Sequence, residues 1–224
     1  MQHPSYLEST PNPINALYRY FNVQFTPTPS SGSALGPTFD MRVLRDAHMP
    51  THVLAATQSD QDIDAAPMML PIDRTLFERG FRIDLSIPSA TPGSTAPIPR
   101  SLTVGDAQIL VVNLPVVTVR VPHLPSFALL LLFGMGLETN TNLLSWKLLP
   151  VNVVEEFPNA SAMSLILSRA PQDTFDTVYR HNQGLWKNTL AMGLTNNRIV
   201  QVVQTAWNVS AESRRVRLRT NLFS

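Results

Sequence analysis

Cysteine is absent from the 224 residues, so the chain has no disulfide, no thiolate nucleophile and no thiolate metal site, a usage that fits a reducing compartment. Charge is scarce: Asp, Glu, Lys and Arg make up 15%, and the formal net charge is +1. That balance excludes a nucleic-acid surface spread over the whole protein and leaves room for a local basic patch. A bilayer-spanning run is missing too. The most apolar stretch, 127–137, is shorter than the roughly 20 residues required and is interrupted by Gly134 and Gly136. The opening Met-Gln-His-Pro-Ser-Tyr-Leu-Glu has neither the basic start nor the apolar core of a secretory signal. The expected location is therefore nuclear or cytoplasmic, with no membrane contact.

What is present is apolar residue: 44% of the chain, enough for one substantial core and a single domain over 1–224. Its centre is expected at 116–136. There Val116, Val117, Val119 and Val121 favour a strand, Pro122 and Pro125 stop it, and Phe127 begins a leucine-rich helix that Ser126 can cap. Phe81, Ile83, Leu85 and Ile87 alternate with Arg82, Asp84 and Ser86, which predicts a second strand. Asp73 can cap a short helix just before it. Residues 107–112 and 116–121 read as two strands of a hairpin around Asn113-Leu-Pro. The segments 26–37 and 88–101, rich in Pro, Ser and Thr, read as flexible loops. Beyond 160 the pattern is helical, with Pro171, Asp173, Gly193 and Asn197 as punctuation and Gly184 as a weak point. The expected class is α+β, a β-containing N-terminal half packed on a helical C-terminal half.

No constellation supports catalysis. His48 and His52, with Asp46 nearby, would share a helix face, but Pro50 separates them and the His-Glu-x-x-His pattern is absent. His123 and Ser126 have the types of a base and nucleophile without a Gly-x-Ser-x-Gly elbow or an orienting acid. Gly134-Met-Gly136 lacks the third glycine of a dinucleotide site, and Glu155 and Glu156, being adjacent, point apart. The chain is expected not to be an enzyme and to need no cofactor or metal.

Binding fits better. Arg214, Arg215, Arg217 and Arg219 form a concentrated basic end suited to phosphates or an acidic protein, and any nucleic-acid contact is expected only there. A solvated helix end, where cations meet the negative end of the helix dipole, is the plainer reading. Trp186 and Trp207 lie in amphipathic segments where tryptophan either packs or anchors an interface. Thr10-Pro11, Thr26-Pro27, Thr28-Pro29 and Thr91-Pro92 are loop pairs that proline-directed phosphorylation could charge, with ordinary loop composition as the plainer reading.

Two stretches carry a resemblance. Val121-Pro-His-Leu-Pro-Ser-Phe127 with its leucines, and Gly184-Leu-Trp-Lys-Asn-Thr-Leu-Ala-Met-Gly193 followed by Ala206-Trp207, resemble the fungal clampless family of basidiomycete mating and clamp-cell development. The resemblance covers 102–224. It implies a non-enzymatic regulator of sexual development and of the dikaryon, acting through protein partners in transcription or the cell cycle, with Trp186, Trp207 and the four arginines as the expected partner-binding set. The order of strand, proline corner and helix also resembles broad-complex (BTB/POZ-type) interaction domains, a likeness of fold alone. The rival expectation is a structural or assembly subunit of a larger complex or viral particle, in which self-association as a homo-oligomer would bury the proline-rich loops.

Overall fold

The computed structural model describes residues 5–25, 35–45, 48–62, 65–88 and 97–222. The expected α+β class is what it shows. Five strands among the described residues, β1 (Thr38–Arg42), β2 (His52–Gln58), β3 (Met68–Ile72), β4 (Arg100–Val104) and β5 (Ala107–Val121), form one sheet, and helices fill the second half.

The sheet is organised by β5. Its first part pairs antiparallel with β1 and β4, and its second part pairs parallel with β2, which in turn pairs with β3. The hairpin expected at Asn113-Leu-Pro does not exist: β5 runs unbroken through Pro115. Proline is tolerated because the β4 ladder ends at Val111 and the β2 ladder begins at Val116, so the missing N–H falls in the gap between them. On the β1 side it is the Val116 N–H that donates to the Pro37 carbonyl. The tight turn lies earlier, at Gly105-Asp106 between β4 and β5. β4 also takes Arg100 and Ser101 out of the loop expected over 88–101, while 26–34 and 89–96, with Thr26, Thr28 and Thr91, lie outside the described residues.

Residues 81–87 keep the predicted alternation, with Phe81 and Ile87 buried and Arg82, Asp84 and Ser86 exposed. They are nevertheless not a strand of the sheet. The Arg82 and Ile83 N–H groups donate instead to the carbonyl of Met192, and the only bridge in this stretch is Phe81 with Leu194. Period-two burial thus records contact with one apolar surface and does not require a sheet neighbour.

The helices are α1 (Tyr6–Ser9), α2 (Pro13–Tyr20), α3 (Arg74–Gly80), α4 (Phe127–Gly134), α5 (Thr141–Leu148), α6 (Val151–Val154), α7 (Ala160–Ser168), α8 (Gln172–Met192) and α9 (Asn197–Leu222). Asp73 caps α3 as expected, its Oδ1 accepting from the Leu76 N–H at 2.9 Å. α4 is the expected leucine helix and all eight of its residues are buried, because α2, α3 and α8 surround it. Each of its leucines contributes about 2 kcal/mol by leaving water. Ser126 precedes α4 without capping it; a 3-10 turn over Leu124–Ser126 leads in instead. One cluster of buried side chains extends from Leu7 through the sheet and α4 to Val209 on α9.

α8 begins after Pro171, so Asp173 lies in its first turn and is not its cap. It then passes straight through Gly184. A Cβ there would lie 2.2 Å from the His123 ring, so the glycine admits the proline corner against the helix. Gly193 ends α8 with φ of 64°, and Asn196, one residue before the expected Asn197, caps α9 by accepting from the Arg198 N–H at 3.1 Å.

Candidate functional site

The arginine-rich end lies on the last part of α9, and its environment is set by how α9 registers against α7 and α8. Asn182 of α8 donates through Nδ2 to Ser210 Oγ of α9 at 2.9 Å and to the Leu148 carbonyl at 3.0 Å. Ser213 Oγ donates to the Ser164 carbonyl of α7 at 2.9 Å. These are buried polar contacts that do not slide cheaply. They place Tyr179 of α8 opposite Trp207 and Arg214 of α9.

A layered aromatic and cationic face results. The Phe175 and Tyr179 rings stack at 5.9 Å, and Trp207 meets Tyr179 at 5.4 Å. The Arg214 guanidinium carbon stands 4.9 Å from the Tyr179 centroid while Nη1 donates to the Tyr179 hydroxyl at 2.9 Å. Arg217 stands 4.6 Å over Phe175. These are cation–π geometries in which each ring fixes a long side chain that would otherwise move freely. Beside them runs a groove of about 560 Å³ lined by Gln172, Phe175, Asp176, Tyr179, Arg180, Arg214, Arg217 and Leu218.

The expected partner-binding residues divide into four kinds here. Arg214 and Trp207 belong to this face. Arg215 and Arg219 are exposed beside it, Arg215 paired with Glu212 at 3.0 Å and Arg219 without an ion pair among the described residues. Arg217 is not the free cation the sequence suggests. Its Nη1 donates to the Ser168 and Ala170 carbonyls at 2.9 and 2.7 Å and its Nη2 to Gln172 Oε1, so it satisfies the open C-terminus of α7 and ties it to α8. Trp186 is half-buried, packs on the core and does not line the groove.

Phe175, Tyr179 and Arg180 are members that sequence reasoning did not single out as binding residues. Their spacing on α8 marks one helical face, but nothing local pairs that face with Arg214, which lies 35 residues from Tyr179.

The other candidates resolve into structural roles. His123 Nδ1 is 2.8 Å from Ser126 Oγ, and the third partner is Asn188, whose Nδ2 donates to Ser126 Oγ at 3.1 Å and to the His123 carbonyl at 2.6 Å. Ser126 is fully buried, so no substrate reaches its hydroxyl and the trio acts as a clasp between the proline corner and α8. Burial, followed by the Lys187 charge, pushes the His123 pKa down. Burial, followed by His123, does the same to His181, whose ring lies 6.3 Å from that of His123.

His52 is buried, with its ring nitrogens 3.0 Å from Thr51 Oγ1 and 3.0 Å from the Pro88 carbonyl. His48 stacks on Phe21, and Asp46 lies outside the described residues. Among the described residues no group of three or more His, Asp or Glu gathers as a metal site, and no helix is long and apolar enough to cross a membrane.

Two further hollows exist. A cleft of about 970 Å³ lies between Tyr6, Tyr20, His48 and the 136–142 turn. There the buried Glu138 carboxylate accepts from the Thr139 and Asn140 N–H groups and from the Ser5 hydroxyl. A groove of about 620 Å³ separates α5, α7 and α9 beside the exposed Phe157.

Comparison with protein-family models, with curated proteins and with solved structures finds no match.

Proposed function

We propose that the chain is a non-enzymatic regulator that works by contacting other proteins, and that the α8–α9 face carrying Tyr179, Trp207 and Arg214 is its partner surface. The observation behind this reading is that Arg180, Arg214 and Arg219 stand at the surface with no carboxylate partner among the described residues, two of them beside an aromatic-lined groove. Aromatic and arginine side chains together are the composition that interfaces concentrate. The resemblance of 121–127 and 184–193 to the clampless family gives the setting: fungal sexual development, with clamp-cell formation and dikaryon maintenance, in nucleus or cytoplasm, and partners in transcription or the cell cycle. The BTB/POZ-like order of elements is consistent with an interaction module.

A second reading, a structural or assembly subunit, is favoured by a different observation. Trp146, Val151, Phe157 and Leu190 are all more than half exposed on the helical half, the kind of apolar surface that association covers.

The test is capture from the native cells with an N-terminal tag at near-physiological salt. Recovery of transcriptional or cell-cycle proteins, lost when Trp207, Arg214, Arg215 and Arg219 are replaced together, is the expected result. Recovery of the chain alone as a stoichiometric assembly would overturn it in favour of the subunit. Arg217 is left intact because its removal disturbs α7.

A further inference from the structure

Resting on the reading of the α8–α9 face as a partner surface, we infer that the groove between Arg180 and Arg214 takes an extended acidic peptide segment, carboxylates on the two guanidinium groups and an apolar side chain against Leu218. Charge complementarity is the first ground. Three arginines and one aspartate line the groove, a formal charge of +2, on a chain whose total is +1. Asp176 is already counted in that sum: both its oxygens accept from Gln172 Nε2 at 3.0 Å, and among the described residues it makes no ion pair with an arginine.

Donor availability is the second. Arg217 has its guanidinium committed to α7 and Gln172. Among the described residues Arg180 uses only Nε, on the Asp176 carbonyl at 3.2 Å, and Arg214 only Nη1, on Tyr179. Both therefore retain terminal N–H groups for a carboxylate, which guanidinium binds in a bidentate fork. Arg214 is held over Tyr179, so less side-chain freedom is lost when an anion arrives.

Dimensions select the ligand class. The α8 wall from Gln172 to Arg180 is about 12 Å long at 1.5 Å per residue, room for about four residues of extended peptide. Leu218, 56% exposed and part of the groove's lining, offers an apolar contact beside the charges. A nucleic acid needs several phosphate contacts for useful affinity, and the groove supplies, among the described residues, two guanidinium groups with terminal N–H groups still open.

The experiment measures binding of a fluorescent eight-residue peptide of alternating Glu and Leu to the full chain by anisotropy at low salt. A Lys-Leu counterpart and a single-stranded oligonucleotide serve as the other probes. The Glu-Leu peptide is expected to bind, to weaken as salt rises, and to lose at least tenfold in affinity in the R180Q/R214Q double variant. Asp176→Asn, which removes the groove's own anion, is expected to tighten it about threefold, a change a merely structural role would not produce. Equal affinity for the Glu and Lys peptides, preference for the oligonucleotide, or indifference to both variants would overturn the inference. If peptide binding fails while capture from cells still depends on the α8–α9 face, the inference falls alone. If the peptide binds and cells yield only self-assembly, the groove stands and the regulator reading falls.

Discussion

His123 occupies the space that a side chain at Gly184 would need: a Cβ on Gly184 would lie 2.2 Å from both Cγ and Nδ1 of the ring and 2.7 Å from the His123 Cβ. The glycine in α8 is thus the reason the proline corner can seat its histidine against Ser126 and Asn188.

Gly184→Ala should therefore destabilise the fold although alanine is the better helix former. Helix propensity favours alanine by about 1 kcal/mol. Forcing the ring away overpacks a buried site, at about 1–3 kcal/mol, and also breaks the Nδ1–Ser126 contact. A net loss of about 2 kcal/mol in urea unfolding is expected. A gain in stability would show that the corner moves freely.

Asn188 gives the complementary prediction. Its Oδ1 accepts from the His123 N–H at 3.0 Å and its Nδ2 donates to the His123 carbonyl, so one amide satisfies both backbone groups of the corner residue. Asn188→Ala should cost about 2–4 kcal/mol by leaving buried polar groups unpaired, and Asn188→Asp should cost a similar amount because the carboxylate cannot donate. Denaturant midpoints of the two variants check this, and equal midpoints with the parent chain would refute the clasp.

Much of this part of the fold could be read from the sequence. The leucine helix, the α3 cap and the stop at Gly193 follow from short-range chemistry: helix formers in a run, an aspartate before a helix, and a glycine at φ of 64°. The continuous β5 could not be read, because whether Pro115 breaks a strand depends on which neighbours pair on either side of it. Residues 81–87 announce their burial but not their partner, since an apolar alternation faces the end of α8 as readily as another strand. The site shows the same division. The arginine cluster is plain in the sequence, whereas the commitment of Arg217 to α7 and the seat of Arg214 on Tyr179 depend on the register of three helices.

Stability should fall on mild acidification. Burial is the leading cause that pushes the pKa values of His52, His123 and His181 down. The unfolded chain therefore takes up protons near the ordinary histidine value of about 6.5 while the folded one does not. When the unfolded state binds more protons, stability declines as pH falls, by at most about 1.4 kcal/mol per pH unit for each histidine. The contribution is fully present above the unfolded value and is lost as pH drops from there through the folded values. The melting temperature should thus be lower at pH 5.5 than at pH 7.5, and His181→Gln should flatten the difference. A melting temperature that rises on acidification would contradict the assignment.

The arginines of α9 should separate by function when replaced one at a time. Arg217→Ala removes three hydrogen bonds that satisfy the end of α7 and its link to α8, and losing such charge-assisted bonds, two of them to part-buried carbonyls, should cost about 2 kcal/mol. Arg215→Ala removes one exposed pair with Glu212, and exposed pairs of this spacing contribute less than about 0.5 kcal/mol. Arg219→Ala, with no ion pair among the described residues to lose, should be neutral within about 0.5 kcal/mol. Thermal melts of the three variants would then place Arg217 in the fold and leave Arg215 and Arg219 to the surface. Equal destabilisation by all three would instead mean that the basic end as a whole is built into the packing of α9, and the partner surface would have to lie elsewhere.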